Sequence, residues 1–375
     1  MSKKNNMRFN DLDIYNKKFS KKFLYQSKKI LLKNKFIFSE EVQQLERKLC
    51  KYTKSKYCIT TGSGTDSITL ALMSLNLKKN DEIIIPSFSW LSVVESVLLL
   101  KLKPIYADIE ISSFNIDINS IKKLITKNTK AIISTSLFGR PSKLIEIKKI
   151  CKKNNITFIE DAAQNFGSII KKKNCLSIAD ITCASFFPSK NLGSFGDAGA
   201  IFTNKKNIYN ILIKLRNHGQ SSYSISKFVG LNSRIGSIQS SILILKLSFI
   251  REKIIKQRRL YKSYENFFNK KNIFGFPKLE YGQAVSHFNL LVKKRKILIN
   301  YLKKNKIPFK IYYPKPLYTQ FNQRIKIKHK ITEQVCNQII SLPFNELNSF
   351  RHKKVLNLLK ILIDNRRGIF FEKKN

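Results

Sequence analysis

Polar and apolar positions change period near residue 55 of this 375-residue chain. Before it, Ser39 can cap a helix whose first turn holds Glu40 and Glu41, and Val42, Leu45 and Leu49 then recur on one face. After it, short β-forming runs follow one another: "YCITT", "EIIIPSF", "KPIYADI", "AIISTSLFG", "ITFIEDAA", "ITCASFF" and "GAIFTN". They alternate with helical patterns such as "DSITLALMSL" and "KLIEIKKICKKN". That alternation predicts an α/β fold with a mostly parallel central sheet flanked by helices on both faces. From Ile235, the spacing of Ile235, Ile238, Ile242 and Leu245 predicts a long helix that runs into the charged stretch "REKIIKQRRLYK". Beyond lie "HFNLLV", the helical "KILINYLKKN", the strand-like "FKIYY" and two more helical segments, which predict a smaller C-terminal α/β domain. The expected organisation is an N-terminal arm over 1–35, a ligand-binding major domain over 36–250 and the smaller domain over 251–375.

Charge changes this picture little. With 71 Lys+Arg against 24 Asp+Glu, the formal net charge is +47, which raises the question of a polyanionic partner. The basic doublets are spread along the whole chain, and none joins an aromatic stacking module or a zinc-finger spacing. No specific nucleic-acid partner is therefore expected, only salt-sensitive, non-specific adhesion. The six cysteines form no CxxC pair and the four histidines are scattered, so no metal site is expected. The N-terminus lacks the apolar core of a secretory signal, and runs such as "ILILKLSFI" fall far short of the roughly 18 residues of a membrane span. A cytoplasmic protein without membrane attachment is expected.

In open α/β sheets, ligands gather at the carboxyl ends of the strands, and four such places carry candidate chemistry. "TTGSGTDSITLAL" passes through Gly62 and Gly64 into a helix, and suits either a phosphate at a helix N-terminus or an ordinary glycine turn. It lacks the Gly-Lys-Ser/Thr of a Walker loop and the third glycine of a dinucleotide fingerprint. In "ITFIEDAAQNFGS", Asp161 stands at the end of the strand-like run "ITFIE" and either holds a cationic ligand or caps a helix. "PSFSWLSVVES" holds the only tryptophan, Trp90, which can stack on a ligand ring or fill the core. Finally, Lys190 is the one lysine of "ITCASFFPSKNLGSFGDAGAIFTN". Among apolar and small neighbours an amine loses hydration and becomes nucleophilic; the alternative is a lysine on a solvated surface loop.

Jointly and in this order, these features resemble the fold type I pyridoxal-phosphate enzymes, more narrowly the DegT/DnrJ/StrS-type sugar aminotransferases. Further carriers are "DEIIIPSFSWLSVVESVLLLKLKPIYADIE", "NIDINSIKKLITKNTKAIISTSLFG", "RNHGQ" and "GLNSRIGSIQSSILILKL". The resemblance implies that Lys190 bonds to the cofactor and moves the proton during transfer, while Asp161 pairs with the ring nitrogen. It further implies that Trp90 stacks on the ring, that Gln164 contacts the ring oxygen, and that Gly64, Thr65 and Ser185 hold the phosphate. Asn232 would reach that phosphate from the other subunit of a homodimer, and Arg234, Tyr313 and Tyr318 would contact substrate. Lys190 argues against the dehydratase branch, in which histidine replaces it. Tyr318 stands where histidine usually follows "PL", and Ala198 stands where glycine is commoner.

The implied activity transfers an amino group from L-glutamate to a keto group of a nucleotide sugar, for surface polysaccharide or lipopolysaccharide O-antigen assembly. "TCASFFPSKNLG" with "RNHGQ" looks closest to enzymes acting at C3 of UDP-2-acetamido-3-oxo-glucuronate. A 4-aminotransferase of a dTDP, UDP or GDP 4-keto-6-deoxy sugar is the alternative, and a basic polyanion-binding protein on an inactive enzyme scaffold is the alternative of another class.

Overall fold

The computed structural model describes residues 7–9, 13–323, 325–344, 349–366 and 368–372. The seven β-forming runs become β1 (Tyr57–Thr61), β2 (Glu82–Pro86), β3 (Lys103–Ala107), β4 (Thr129–Thr135), β5 (Thr157–Asp161), β8 (Ile181–Ser185) and β9 (Gly199–Thr203). They form one sheet in the order β1-β9-β8-β5-β4-β2-β3. Only β9 runs against the rest, pairing antiparallel with β1 and β8. A small hairpin, β6 (Ile169–Ile170) with β7 (Lys173–Asn174), lies between β5 and β8 in the chain.

Why the strands read as runs rich in apolar and β-branched residues is visible in the packing. Ile84 and Ile132 enter the core under α2 (Glu40–Thr53), α5 (Ile118–Leu124), α6 (Leu144–Lys153) and α8 (Ser237–Leu247). Their neighbours Ile83, Ile85 and Ile133 enter the opposite core, under α3 (Gly64–Met73), α4 (Ser92–Leu99) and α7 (Lys206–Leu215). Both faces are buried, so the central positions of the strands are mostly apolar, each such side chain contributing about 1.5–3 kcal/mol.

Helix α1 (Asp13–Lys33) lies outside this layer and sets Phe19 and Phe23 against Ile242 of α8. A hairpin of β10 (Gln220–Ser222) and β11 (Ile225–Ser226) precedes α8. The C-terminal part packs α9 (Ile250–Lys270), α10 (Arg295–Lys304), α11 (Lys330–Gln338) and α12 (Ser349–Asn365) around two strand pairs. These are β12 (Ile273–Phe274) with β15 (Phe371–Glu372), and β13 (Phe288–Leu291) with β14 (Ile339–Leu342). Tyr264, Phe268, Phe288 and Phe370 fill their core.

Three local expectations are corrected. The helix expected from Ile235 is two helices, because the chain turns at Ser248 and Phe249 between α8 and α9. Ser248 Oγ donates to the Leu245 carbonyl at 2.7 Å, and the Phe249 ring packs 4.4 Å from that of Phe19. The strand expected at "FKIYY" is a single bridge, Lys310 to Ser341; Pro308 and Pro314 have no N–H to extend a ladder. Ser39 occupies the N-cap of α2, but its hydroxyl pairs with Ser237 Oγ at 2.8 Å and bonds no helix N–H.

At Gly139, after β4, the backbone takes φ +82°, and an added Cβ would stand 1.7 Å from the Ala284 carbonyl. The turn after β4 thus meets the segment leading to β13 with no room for a side chain. Gly139→Ala is expected to lower stability by about 2 kcal/mol or more, read from a urea-melt midpoint; an unmoved midpoint would rule out this approach.

Candidate active site

Strand β1 runs into Gly62 and Ser63, and Ser63 caps α3 by accepting the Asp66 N–H on Oγ at 3.0 Å. The N–H groups of Gly64 and Thr65 are left unpaired among the described residues, a cradle of donors at a helix N-terminus. Ser185 closes the other side from the end of β8. A Cβ on Gly64 would stand 2.6 Å from the Ser185 Cβ, so the approach requires glycine. The "GLNSR" segment lies against the same loop, because Ser233 Oγ accepts the Gly62 N–H at 2.9 Å and donates to Asp66 at 2.7 Å. Asn232 beside it is exposed.

Asp161 ends β5 and is buried, 3% exposed. Its Oδ1 accepts the Ala163 N–H at 3.0 Å in a tight turn, and no helix follows, so the helix-cap alternative is not realised. Burial raises its pKa, against the pull of that N–H and of Lys190. Lys190 stands in the loop after β8. Part of its stem remains accessible, but burial of the amine is the larger influence, lowering its pKa against the attraction of Asp161. Its Nζ makes no hydrogen bond or ion pair among the described residues. A buried carboxylate and a buried amine therefore stand close enough to feel each other without joining.

Gln164, Tyr313 and Trp90 form one side of the same place. Gln164 accepts the Phe138 N–H on Oε1 at 2.7 Å and donates from Nε2 to the Tyr313 hydroxyl at 2.9 Å. The Tyr313 ring lies 5.9 Å from that of Trp90, and Trp90 keeps 51% of its surface exposed at the end of β2. Trp90 is thus not core filling; a flat apolar face is open. Arg234 lies apart: it donates to Asn217 Oδ1 at 3.2 Å, stands over the Phe38 ring and leaves its Nε buried without a partner. Tyr318 is not brought into this cluster. It is 2% exposed in the core under α3 and α4, and its hydroxyl donates to Glu333 and accepts the His329 N–H.

Two residues here escaped the sequence reading. His287 is held neutral, its pKa pushed down to about 3 by burial first and then by the charge of Lys190. It is edged by Phe138 and Tyr312. Glu160 points away from Asp161 into the sheet, where Ser134 and Ser136 donate to its carboxyl. Burial, outweighing those donors, pushes its pKa to about 8, and Asp161 adds to the rise. Alternation along β5 carries a signal for Glu160, an acid beside Asp161 on the opposite face of a strand otherwise rich in apolar residues; nothing in the sequence around His287 marks it.

The profile of the DegT/DnrJ/EryC1/StrS aminotransferase family matches residues 18–360. The chain belongs to that family. Within it, the chain is 34% identical to UDP-2-acetamido-2-deoxy-3-oxo-D-glucuronate aminotransferase of Pseudomonas aeruginosa, over 84% of this chain and 89% of that protein. It is 32% identical to dTDP-3-amino-3,6-dideoxy-alpha-D-galactopyranose transaminase of Aneurinibacillus thermoaerophilus, over 91% and 95%. The fold superposes on NtdA of Bacillus subtilis, crystallised with bound cofactor PMP, with a TM-score of 0.89, 27% identity, and coverage of 96% of this chain and 85% of that one.

As a family member the chain is a sugar aminotransferase dependent on pyridoxal phosphate. The residues present fit that cofactor. Unpaired N–H donors suit a phosphate, a buried carboxylate suits a protonated ring nitrogen, and a partnerless amine suits an aldehyde.

Glu160 generates a prediction. Its raised folded pKa means that its stabilising contribution is full below about 4.5 and is lost as pH rises through about 8. Stability of the wild type should fall relative to Glu160→Gln by up to about 1.4 kcal/mol per pH unit within that window. Urea melts of both proteins between pH 5 and pH 9 measure the difference; parallel curves would contradict a neutral Glu160.

Proposed function

We propose that the enzyme transfers an amino group from L-glutamate to C3 of UDP-2-acetamido-3-oxo-glucuronate, in the cytoplasm, for surface polysaccharide assembly. The observation that carries the chemistry is the Lys190 amine, buried beside Asp161 and unpaired. The substrate reading rests on the Pseudomonas aeruginosa relative, which matches over most of both chains. The chain is read as an arm over 1–35, a major domain over 36–250 and a smaller domain over 251–375.

Each residue has a task that follows from its surroundings. Gly64, Thr65 and Ser185 hold the cofactor phosphate through N–H groups and a hydroxyl. Asp161, costly as a lone buried anion, keeps a proton on the ring nitrogen. Bound there, the cofactor supplies an electron sink for the carbanion left when the donor loses its Cα proton. Lys190 Nζ takes that proton and returns it, a task that suits an amine whose charged form is disfavoured by desolvation. Trp90 offers its open face to the ring, while Gln164 and Tyr313 line its edge. Arg234 binds a carboxylate of donor or sugar.

We further read the enzyme as a homodimer in which Asn232 serves the partner's phosphate site. The β10–β11 hairpin exposes Tyr223 at 94% and nearby Val229 at 87%, an apolar edge suited to burial against a second copy.

Borohydride treatment of the yellow holoenzyme should fix the cofactor on the peptide holding Lys190. Lys190→Ala should lose that capture and at least about 10³-fold in transfer rate. A panel of keto-sugar nucleotides with glutamate then tests the substrate. Faster turnover of a 4-keto-6-deoxy sugar would replace the C3 reading, and a colourless protein that takes up no cofactor yet binds nucleic acid would overturn the enzyme reading.

A further inference from the structure

Helices α8 and α9 grip the loop that carries Lys190. Lys253 Nζ donates to the backbone carbonyl of Lys190 itself at 3.2 Å, and Lys246 Nζ donates to that of Gly193 at 2.7 Å. Between them, Asn191 Oδ1 accepts from Gln257 at 3.3 Å, while its Nδ2 bonds the carbonyls of Phe166 and Ala284. The stretch from Phe186 to Ala198 has no helix or strand of its own. Its backbone is closed by three bonds, Phe186 N–H to Ala198, Lys190 N–H to Phe187 and Ser194 N–H to Phe186, and folds so tightly that a Cβ on Gly193 would lie 2.2 Å from the Pro188 carbonyl. Ammonium donors are stronger than neutral ones, so the two lysines are the firmest external ties of this loop.

The Lys246 tie is also partly shielded from water, and α1 contributes to the shielding. Lys246 Nζ lies 4.5 Å above the Phe195 ring and 5.8 Å from that of Phe23. Phe23, on α1, meets Phe195 edge-on at 4.8 Å, while Phe19 one turn earlier packs on Phe249. Loss of water strengthens the bond to Gly193 and the attraction to both rings. The ammonium is destabilised accordingly, its pKa brought down to about 8 by burial first and then by Lys253.

We propose that Lys246 and Lys253 are positioning residues for Lys190, and that helix α1 holds Lys246 in place through Phe23, so that docking of the N-terminal arm fixes where the amine stands. The inference rests on the reading of Lys190 as the cofactor-bonding residue. It extends that reading from the groups that touch the ligand to those that hold the backbone beneath it.

The test uses the full chain without cofactor, so that it is independent of activity. Amide hydrogen exchange over residues 186–196 is compared in wild type, Lys246→Met, Lys246→Arg, Lys253→Gln and Phe23→Ala, alongside the pH midpoint for acetylation of Lys190 by acetic anhydride. Lys246→Met, Lys253→Gln and Phe23→Ala should each speed exchange in this loop by about tenfold, with sheet amides unchanged, and move the Lys190 midpoint up by about one pH unit. Lys246→Arg should restore most of both. Should Lys246→Met not fold, Lys253→Gln and Phe23→Ala carry the same readouts. Wild-type exchange and midpoint in these variants, or an Arg variant as impaired as the Met variant, would overturn the proposal. Failure of the Lys190 reading itself shows separately, as borohydride capture that survives Lys190→Ala.

Discussion

A carboxyl group buried inside the protein without a cation against it is the constraint around which this site is built. Asp161 closes a central strand, is almost fully buried and has one backbone N–H to satisfy it. The nearest cation by effect, Lys190, is itself driven towards its neutral form by burial. Neither group is relieved by the other, so both keep an unmet demand, which fits a ligand that carries a cationic ring nitrogen and an electrophilic carbon. The surroundings preserve that demand. Glu160 stays protonated under the sheet and His287 stays neutral beside the amine, so neither adds a charge that would cancel or double it.

Holding such a pair apart needs a stiff frame, and the sheet supplies it. Four strands end at one edge, and each delivers a different part: Gly64 and Thr65 after β1, Trp90 after β2, Asp161 on β5, Ser185 and then Lys190 from β8. The buried isoleucines on both faces leave these ends little freedom, and glycines at 64 and 139 let backbones meet where a side chain would force them apart. The Lys190 loop lacks regular structure, and it is tied down from outside by α8 and α9.

Much of this was readable from residue order because it depends on local chemistry. All seven strands fell on the predicted β-forming runs, since strands buried on both faces are rich in apolar and β-branched residues. The strand-end placement of Asp161, Trp90 and Lys190 followed from the same pattern. What failed were features set by distant partners. The break between α8 and α9 seats Phe249 against Phe19 of α1, paired prolines reduce "FKIYY" to one bridge, and Ser237 draws the Ser39 hydroxyl away from its helix.

The sequence by itself determined the α/β architecture, the family and the set of polar residues at the strand ends, because period, turn chemistry and motif order are properties of neighbours along the chain. Only the tertiary structure decided which of them share an environment. Tyr318 sinks into the core with its hydroxyl already bonded, while His287, from beyond the long helices, comes up beside Lys190. Desolvation and Coulomb coupling depend on what surrounds an atom in space, so the state of the Lys190 amine is a property of the fold and not of the stretch of chain that carries it.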